Sequence, residues 1–390
     1  MPENRWWLAA DALDAILDDL ARTEALVAPV RHAGEVLFRK VARAADICRD
    51  YVNSLVPPKQ FFLPTPETLL RYHFTGGQPV LDGDGADGPE RALVLFGVRS
   101  CDVAGLEQLT RFFSGESLGH PESADGPFLR RRRAATILSV VCQEPGETCM
   151  CVCCKGGPAL ESGFDWQLTR LSKGWLVEVG TERGRELATR FASRLQPAGE
   201  DAVAEKTERV RTVVETFYRH SHRRVQTMAA GRMTSQGRLP DAFWADLGER
   251  CVECGGCAFV CPTCSCFNVA DVAEAGAGVI GPSGGPESAA PGGPVDAPSE
   301  GNFERQRLRD NCMLAGFVRQ AGGAYPRLSC GERCLTRFFH KLSWQFVQRT
   351  GALGCTGCGR CAVVCLAGIG IDRVSALMTE ELVGAKGAGA

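Results

Sequence analysis

Apolar residues recur at helical spacing over residues 8–23, where Leu8, Leu13, Ile16, Leu17 and Leu20 fall on one face and predict a first helix. Two short apolar segments follow, ALVAPVRHAG and EVLFRKV, and they predict strands joined by a glycine turn. The stretch VPPKQFFLPTPETLL opens with prolines, and its Thr-Pro-Glu-Thr pattern predicts the start of another helix. Residues 92–96 have the length and bounding of a buried strand. Gly97 is expected to end that strand, and Asp102 to cap an amphipathic helix running to Phe113. Residues 136–141 and 175–179 predict two more buried strands, and Trp6 and Trp7 read as a packing anchor. Strands alternating with helical segments predict an α/β domain over residues 1–200.

Beyond it the pattern changes. Residues 201–230 are charged and helical, with Val210, Val213, Val214 and Phe217 forming an apolar stripe. They open a helical lead-in over residues 201–273. Residues 274–301 are rich in Gly, Pro, Ala and Ser and lack aromatic side chains, so they cannot offset their chain entropy and predict a flexible loop. Residues 302–318 and 335–349 predict helices within a segment 302–382, and residues 383–390 a disordered tail. The predicted fold is therefore α+β / α/β: an N-terminal α/β domain plus a mostly helical C-terminal domain.

Cysteine spacing supplies the chemistry. Cys251, Cys254, Cys257 and Cys261, followed by Pro262, have the C-x2-C-x2-C-x3-C-P spacing by which bacterial ferredoxins bind a [4Fe–4S] cubane. Cys355, Cys358, Cys361 and Cys365 repeat that spacing. Each comb wraps a tight loop, and Gly255, Gly256, Gly357 and Gly359 let backbone N–H groups turn toward the sulfurs. In two-cluster ferredoxins the fourth cysteine serves the other cluster, which would assign Cys261 to the second comb and Cys365 to the first. The helical domain thus carries a split ferredoxin-like module with two clusters. Zinc is the competing ligand, but it favours separated cysteine pairs over a four-cysteine comb.

The chain of 390 residues has 20 cysteines, more than small disulfide-stapled domains need and more than the two combs use. Cys101 follows one predicted strand and Cys142 ends the next, with Cys149, Cys151, Cys153 and Cys154 shortly after. If the two strands are neighbours, Cys101, Cys142 and a pair from the later group converge at a sheet's carboxyl edge. Cys48 reads as a core residue on a helical stretch. Cys264 and Cys266 read as supporting, reactive or structural, and Cys312, Cys330 and Cys334 could complete a further site, although spacing argues against a fourth cluster. The arginines at 130–133 read as a solvated face, and His340 as a packed or capping histidine. His220 and His222 are not spaced to face one another on a helix.

A net charge of -2 gives no bulk reason to expect nucleic acid or an anionic membrane as partner. Neither a leader-like N-terminus nor an apolar run long enough to span a bilayer is evident, so the expected location is the cytoplasm, without membrane insertion. No G-x-G-x-x-G fingerprint is present, which places any NAD(P)H site on a partner.

Seven segments, QFFLPTPETLLRY, LFGVRSCDVAGLEQL, VVCQEPGETCMC, GFDWQLT, VEVGTERG, FWADLGERCVECGGCAFVCPTCSCFNV and CTGCGRCAVVC, resemble in order the four-iron dicluster family. That family includes the beta subunit of soluble sulfhydrogenases (cytosolic NiFe hydrogenases) and an iron–sulfur component of anaerobic sulfite reductase. The resemblance implies an electron-transfer subunit, not itself catalytic, between a flavin/NAD(P)H-binding subunit and a catalytic oxidoreductase subunit. It also implies a third [4Fe–4S] cluster on Cys101, Cys142, Cys149 and Cys151. Met150 stands where the family pattern has Phe, and Leu366 where it has Pro; Cys153 and Cys154 are additional to it. Two rival readings are a sulfur- or disulfide-reducing enzyme whose surplus cysteines build a catalytic cluster, and a zinc-holding scaffold.

Overall fold

The structure, a computed structural model, describes residues 4–84, 91–154, 156–219, 223–273, 301–320 and 322–387. Its strands are β1 (Arg5–Leu8), β2 (Ala25–His32), β3 (Glu35–Lys40), β4 (Glu67–Thr75), β5 (Gln78–Asp84), β6 (Leu93–Val98), β7 (Thr136–Val140), β8 (Trp166–Arg170), β9 (Trp175–Val179), β10 (Leu195–Pro197), β11 (Phe267–Ala273) and β12 (Gly301–Arg309). Its helices are α1 (Ala10–Thr23), α2 (Ser100–Phe113), α3 (Gly126–Ala134), α4 (Glu182–Arg190), α5 (Glu200–Arg219), α6 (Arg223–Ser235), α7 (Asp241–Arg250), α8 (Gly256–Phe259), α9 (Cys330–Leu342), α10 (Trp344–Thr350), α11 (Arg360–Val363) and α12 (Ile371–Gly387).

Eight strands form one mixed sheet in the order β10-β1-β9-β8-β7-β6-β2-β3, with β2, β6, β7 and β8 parallel at its centre. Alternation along the strands supplies two buried faces. Val94, Phe96 and Trp166 meet Ile16 and Leu17 of α1 and Leu187 of α4. Leu95 and Ile137 point the other way, against Leu106 and Leu109 of α2 and Phe128 of α3. The α/β expectation for this part of the chain rests on these paired faces.

Several local expectations are corrected. The first helix begins at Ala10, because Leu8 belongs to β1 and pairs with Leu195 and Trp175. Trp6 does pack against the core, and Trp7 Nε1 donates to the Lys173 carbonyl at 2.7 Å. Gly97 does not end β6: it sits in a bulge at φ 86, close under the Pro29 ring, and the strand continues to Val98. Asp102 is no cap, since α2 starts after Arg99 without a side-chain cap bond and the carboxylate is committed elsewhere.

The largest differences are at residues 67–75 and 302–309, both expected to be helical and both strands. β12 lies between β11 and β4 in an antiparallel sheet of order β11-β12-β4-β5. Phe303 stacks on Tyr72 with ring centroids 5.4 Å apart, and Arg307 is buried against Glu67 with an N–O distance of 2.5 Å. These partners lie more than 200 residues away, and cross-strand pairing outweighs the local helical pattern. The segment after the first comb therefore shares a sheet with residues 67–84, and the C-terminal region is strand as well as helix. The run expected as one helix over 335–349 is two, α9 and α10, with Ser343 closing the first and capping the second. The predicted tail is helical as far as Gly387. Residues 274–300, 388–390, His220 and His222 lie outside the described residues.

The arginine run is a solvated face only in part: Arg130 and Arg133 are exposed, while Arg131 and Arg132 turn to buried or half-buried acids. Arg131 reaches Glu67 at 2.5 Å and Arg132 reaches Glu107 at 2.6 Å. Glu67 thus holds Arg131 of α3 and Arg307 of β12 together, with Asp125 as a second acid on Arg307. Replacing Glu67 by Leu leaves Arg131 without its acid and Arg307 with Asp125 alone, and is expected to cost about 3–5 kcal/mol; the midpoint of urea unfolding, followed by circular dichroism, measures it.

Candidate iron–sulfur site

The two combs are built alike. Each descends through left-handed turns, Glu253 and Gly255 at φ 52 and 67, Gly357 and Gly359 at φ 69 and 75. Each then enters a single helical turn carrying its third cysteine, Cys257 in α8 and Cys361 in α11, and these turns pack against one another. The fourth cysteines lie between the combs: Cys261 is an electrostatic neighbour of Cys355, Cys358 and Cys361 as well as of Cys257 in its own comb, and Cys365 is one of Cys257. Cys251 also neighbours Cys257, and Cys254 is exposed at the end of the first loop.

The surplus cysteines separate into places that spacing could not resolve. Cys330 and Cys334, one helical turn apart on α9, gather with Cys251, their sulfurs all within 4.8 Å of one another. Hydrogen bonds from Cys334 and Cys330 hold the Cys251 thiol down at about 5. Cys312 does not join them; its thiol bonds Cys266, which it lowers to about 6. Cys154 bonds Cys355 of the second comb, and Cys264 bonds Cys261. Cys48 is half-buried in irregular chain near Arg31, not on a core helix.

Strands β6 and β7 are parallel neighbours, so Cys101, just past one, and Cys142, just past the other, meet at the carboxyl edge. Cys151 neighbours both Cys142 and Cys149. All four residues expected to form a third group are thus brought together. This group abuts the second comb: Cys101 neighbours Cys358, and Met150 N–H donates to the Gly357 carbonyl at 2.8 Å. A Cβ on Gly357 would collide with the Met150 and Cys151 backbone, and one on Gly359 would stand 2.6 Å from the Thr148 carbonyl oxygen. Only glycine lets the two loops touch backbone to backbone.

Around these sulfurs lie cations that sequence reasoning missed. Arg360 is 3% exposed and forms a bidentate pair with Asp102 at 2.5 and 2.8 Å, beside Cys358 and Cys101. Lys59, Lys341 and Arg337 are buried too, and Arg337 Nη1 has no hydrogen-bond partner among the described residues. Burial depresses Lys59 to about 8 despite the nearby Cys264 and Cys261. Burial also opposes the charge on Lys341, yet the same two thiols raise it overall. The position of Arg360 inside CTGCGRC was a legible signal; Lys59, in an apolar stretch, was not. Thiol donors, left-handed glycine cradles and an orphaned buried guanidinium together fit an anionic thiolate-bound cluster.

The 4Fe-4S dicluster domain family matches residues 294–369, a span that contains the second comb. Sulfhydrogenase 2 subunit beta of Pyrococcus furiosus is 28% identical over 357 residues, covering 91% of this chain and 92% of that one. The chain is thus similar to a sulfhydrogenase beta subunit along nearly its whole length. It is an iron–sulfur protein of the electron-transfer type. No solved structure matches it. Among the described residues, no helix is long and apolar enough to cross a membrane.

Gly357→Ala is expected to destabilise the loop contact by about 1–2 kcal/mol from the left-handed backbone alone. Hydrogen exchange at the Met150 amide, faster by about 5- to 30-fold for such a loss, reports it directly.

Proposed function

We propose that this chain relays single electrons inside a multi-subunit oxidoreductase. The two combs would hold two [4Fe–4S] clusters, one on Cys251, Cys254, Cys257 and Cys365, the other on Cys355, Cys358, Cys361 and Cys261. Cys101, Cys142, Cys149 and Cys151 would hold a third. Bound clusters supply outer-sphere one-electron transfer and nothing else. The observation that carries the reading is the direct abutment of the Cys101 group on the second comb, which makes a continuous row of thiol sites. The chain's own residues set the potential: Arg337, Lys341, Lys59 and Arg360 place fixed positive charge beside the sulfurs, and buried surroundings keep that charge unscreened.

The partners in this reading are a flavin/NAD(P)H-binding subunit and a catalytic subunit of NiFe hydrogenase or sulfite reductase type, in the cytoplasm. With no general acid, base or nucleophile required, the isolated chain is not itself an enzyme.

Anaerobic iron and acid-labile sulfide analysis tests the third site: Cys101→Ser with Cys149→Ser is expected to lose about four irons, the content of one cubane, and an unchanged iron content would return those cysteines to packing. Arg337→Gln removes a buried positive charge and is expected to move the potential of the comb clusters to more negative values in an EPR-monitored redox titration, because the reduced cluster loses more stabilisation than the oxidised one.

A further inference from the structure

Cys330 and Cys334 have no part in the electron relay, yet their sulfurs lie within 4.8 Å of each other and of the Cys251 sulfur. The fold builds this convergence. Cys251 closes α7, Cys330 opens α9, and Cys334 follows one turn later on the same face of that helix. The two helices touch backbone to backbone: a Cβ on Gly248 would stand 2.5 Å from the Gly331 nitrogen, and one on Gly331 would stand 2.7 Å from the Trp244 carbonyl oxygen. Gly248 lies three residues before Cys251, and Gly331 directly follows Cys330. A contact that only glycine permits therefore brings the thiols together.

Two further fastenings hold the three donors in place. Ser329 and Glu332 form a capping box that fixes the start of α9. Arg333, which is buried, reaches Glu253 in the loop of the first comb at 2.6 Å. The loop that carries Cys251 is thus tied to the helix that carries Cys330 and Cys334. Cys334 is buried, while Cys251 and Cys330 are half-buried and give the site access to solvent.

The separation of the sulfurs selects the kind of metal. A tetrahedral ion with metal–sulfur bonds of about 2.3 Å sets its thiolates about 3.8 Å apart. A cubane holds each thiolate on a different iron and needs them more widely placed. Sulfurs that all fall within 4.8 Å of one another suit a single ion. We propose that Cys251, Cys330 and Cys334 bind one zinc ion through three thiolates, with Cys251 shared between that ion and the cluster of the first comb. A thiolate sulfur has lone pairs for two metals, so membership in the comb does not exclude membership here. Glu253 is engaged by Arg333, which leaves the fourth position to water. Binding releases the thiol protons of Cys330 and Cys334 and moves no electron. The site would pin α7 to α9 and set a divalent charge beside the first comb. The inference rests on the iron–sulfur reading only for the sharing of Cys251.

The test uses the full chain purified anaerobically, as wild type and as Cys330→Ser, with iron, sulfide and zinc analysis, zinc-edge X-ray absorption and an EPR-monitored redox titration. The wild type is expected to carry about one zinc per chain, with three sulfurs at about 2.3 Å and one oxygen. Cys330→Ser is expected to lose that zinc, keep its iron and show a more negative potential for the first-comb cluster, because a neighbouring divalent charge favours the reduced cluster. A wild type that holds no zinc after anaerobic addition of zinc chloride and desalting overturns the proposal. So does a variant that keeps its zinc, or one that loses about four irons in its place, which would make Cys330 a cluster ligand. A wild type with thiolate-bound zinc and no iron overturns the relay reading and leaves this site standing. If Cys330→Ser does not fold, the sulfur count around the wild-type zinc decides: three supports the site, and any other number sinks it.

Discussion

Buried positive charge facing thiols is the constraint on which the C-terminal half depends. Arg337, Lys341, Lys59 and Arg360 are each nearly sealed from solvent, and a cation in that setting is costly unless an anion is beside it. Only Arg360 has a carboxylate, Asp102, among the ion pairs of the described residues; for the other three the nearby anions are cysteine sulfurs. The same electrostatics that would make the empty protein unfavourable make a thiolate-bound cluster favourable. Folding and cluster binding are therefore coupled in this region, as in other small metal-holding modules.

The Arg360–Asp102 pair does a second thing. It joins the turn of the second comb to the first turn of α2, and Arg360 also donates to the Ser54 carbonyl at 2.7 Å. Asn53 Nδ2 donates to the Cys358 carbonyl at 2.9 Å, and Gln108 Nε2 to the Leu353 carbonyl at 2.7 Å. On the other comb, a Cβ on Gly105 of α2 would stand 2.7 Å from Pro262 Cβ. The α/β sheet and the cysteine module are thus fastened backbone to backbone and charge to charge. Such an interface fixes the separation of neighbouring thiol groups, the quantity on which electron transfer depends most.

The four-stranded sheet adds a third fastening. Two of its strands come from residues 67–84 and the other two from the chain after the first comb, and Glu67 with its two arginines locks it to α3. Residues 264–273 leave the comb directly into this sheet, which sets Cys264 and Cys266 where Cys312, at the far end of β12, can reach them.

The comb spacing was legible in the residues because a cluster loop is a local object: four cysteines and two glycines in eleven residues dictate the turn and the donor set together. Two of the buried strands at the centre of the large sheet were legible for the same reason, since the continuous apolar runs 92–96 and 136–141 state their own burial, whereas β8 carried no such signal. Residues 67–75 and 302–309 were not legible, because the pairing that joins them to one another spans more than 200 residues. The sorting of the remaining cysteines, Cys330 and Cys334 to Cys251, Cys312 to Cys266, Cys154 to Cys355, was equally invisible. Sequence by itself determined which cysteines share the comb spacing. Tertiary structure alone decided which of them meet and which cations they meet, because through-space contact between distant segments leaves no periodic trace along the chain.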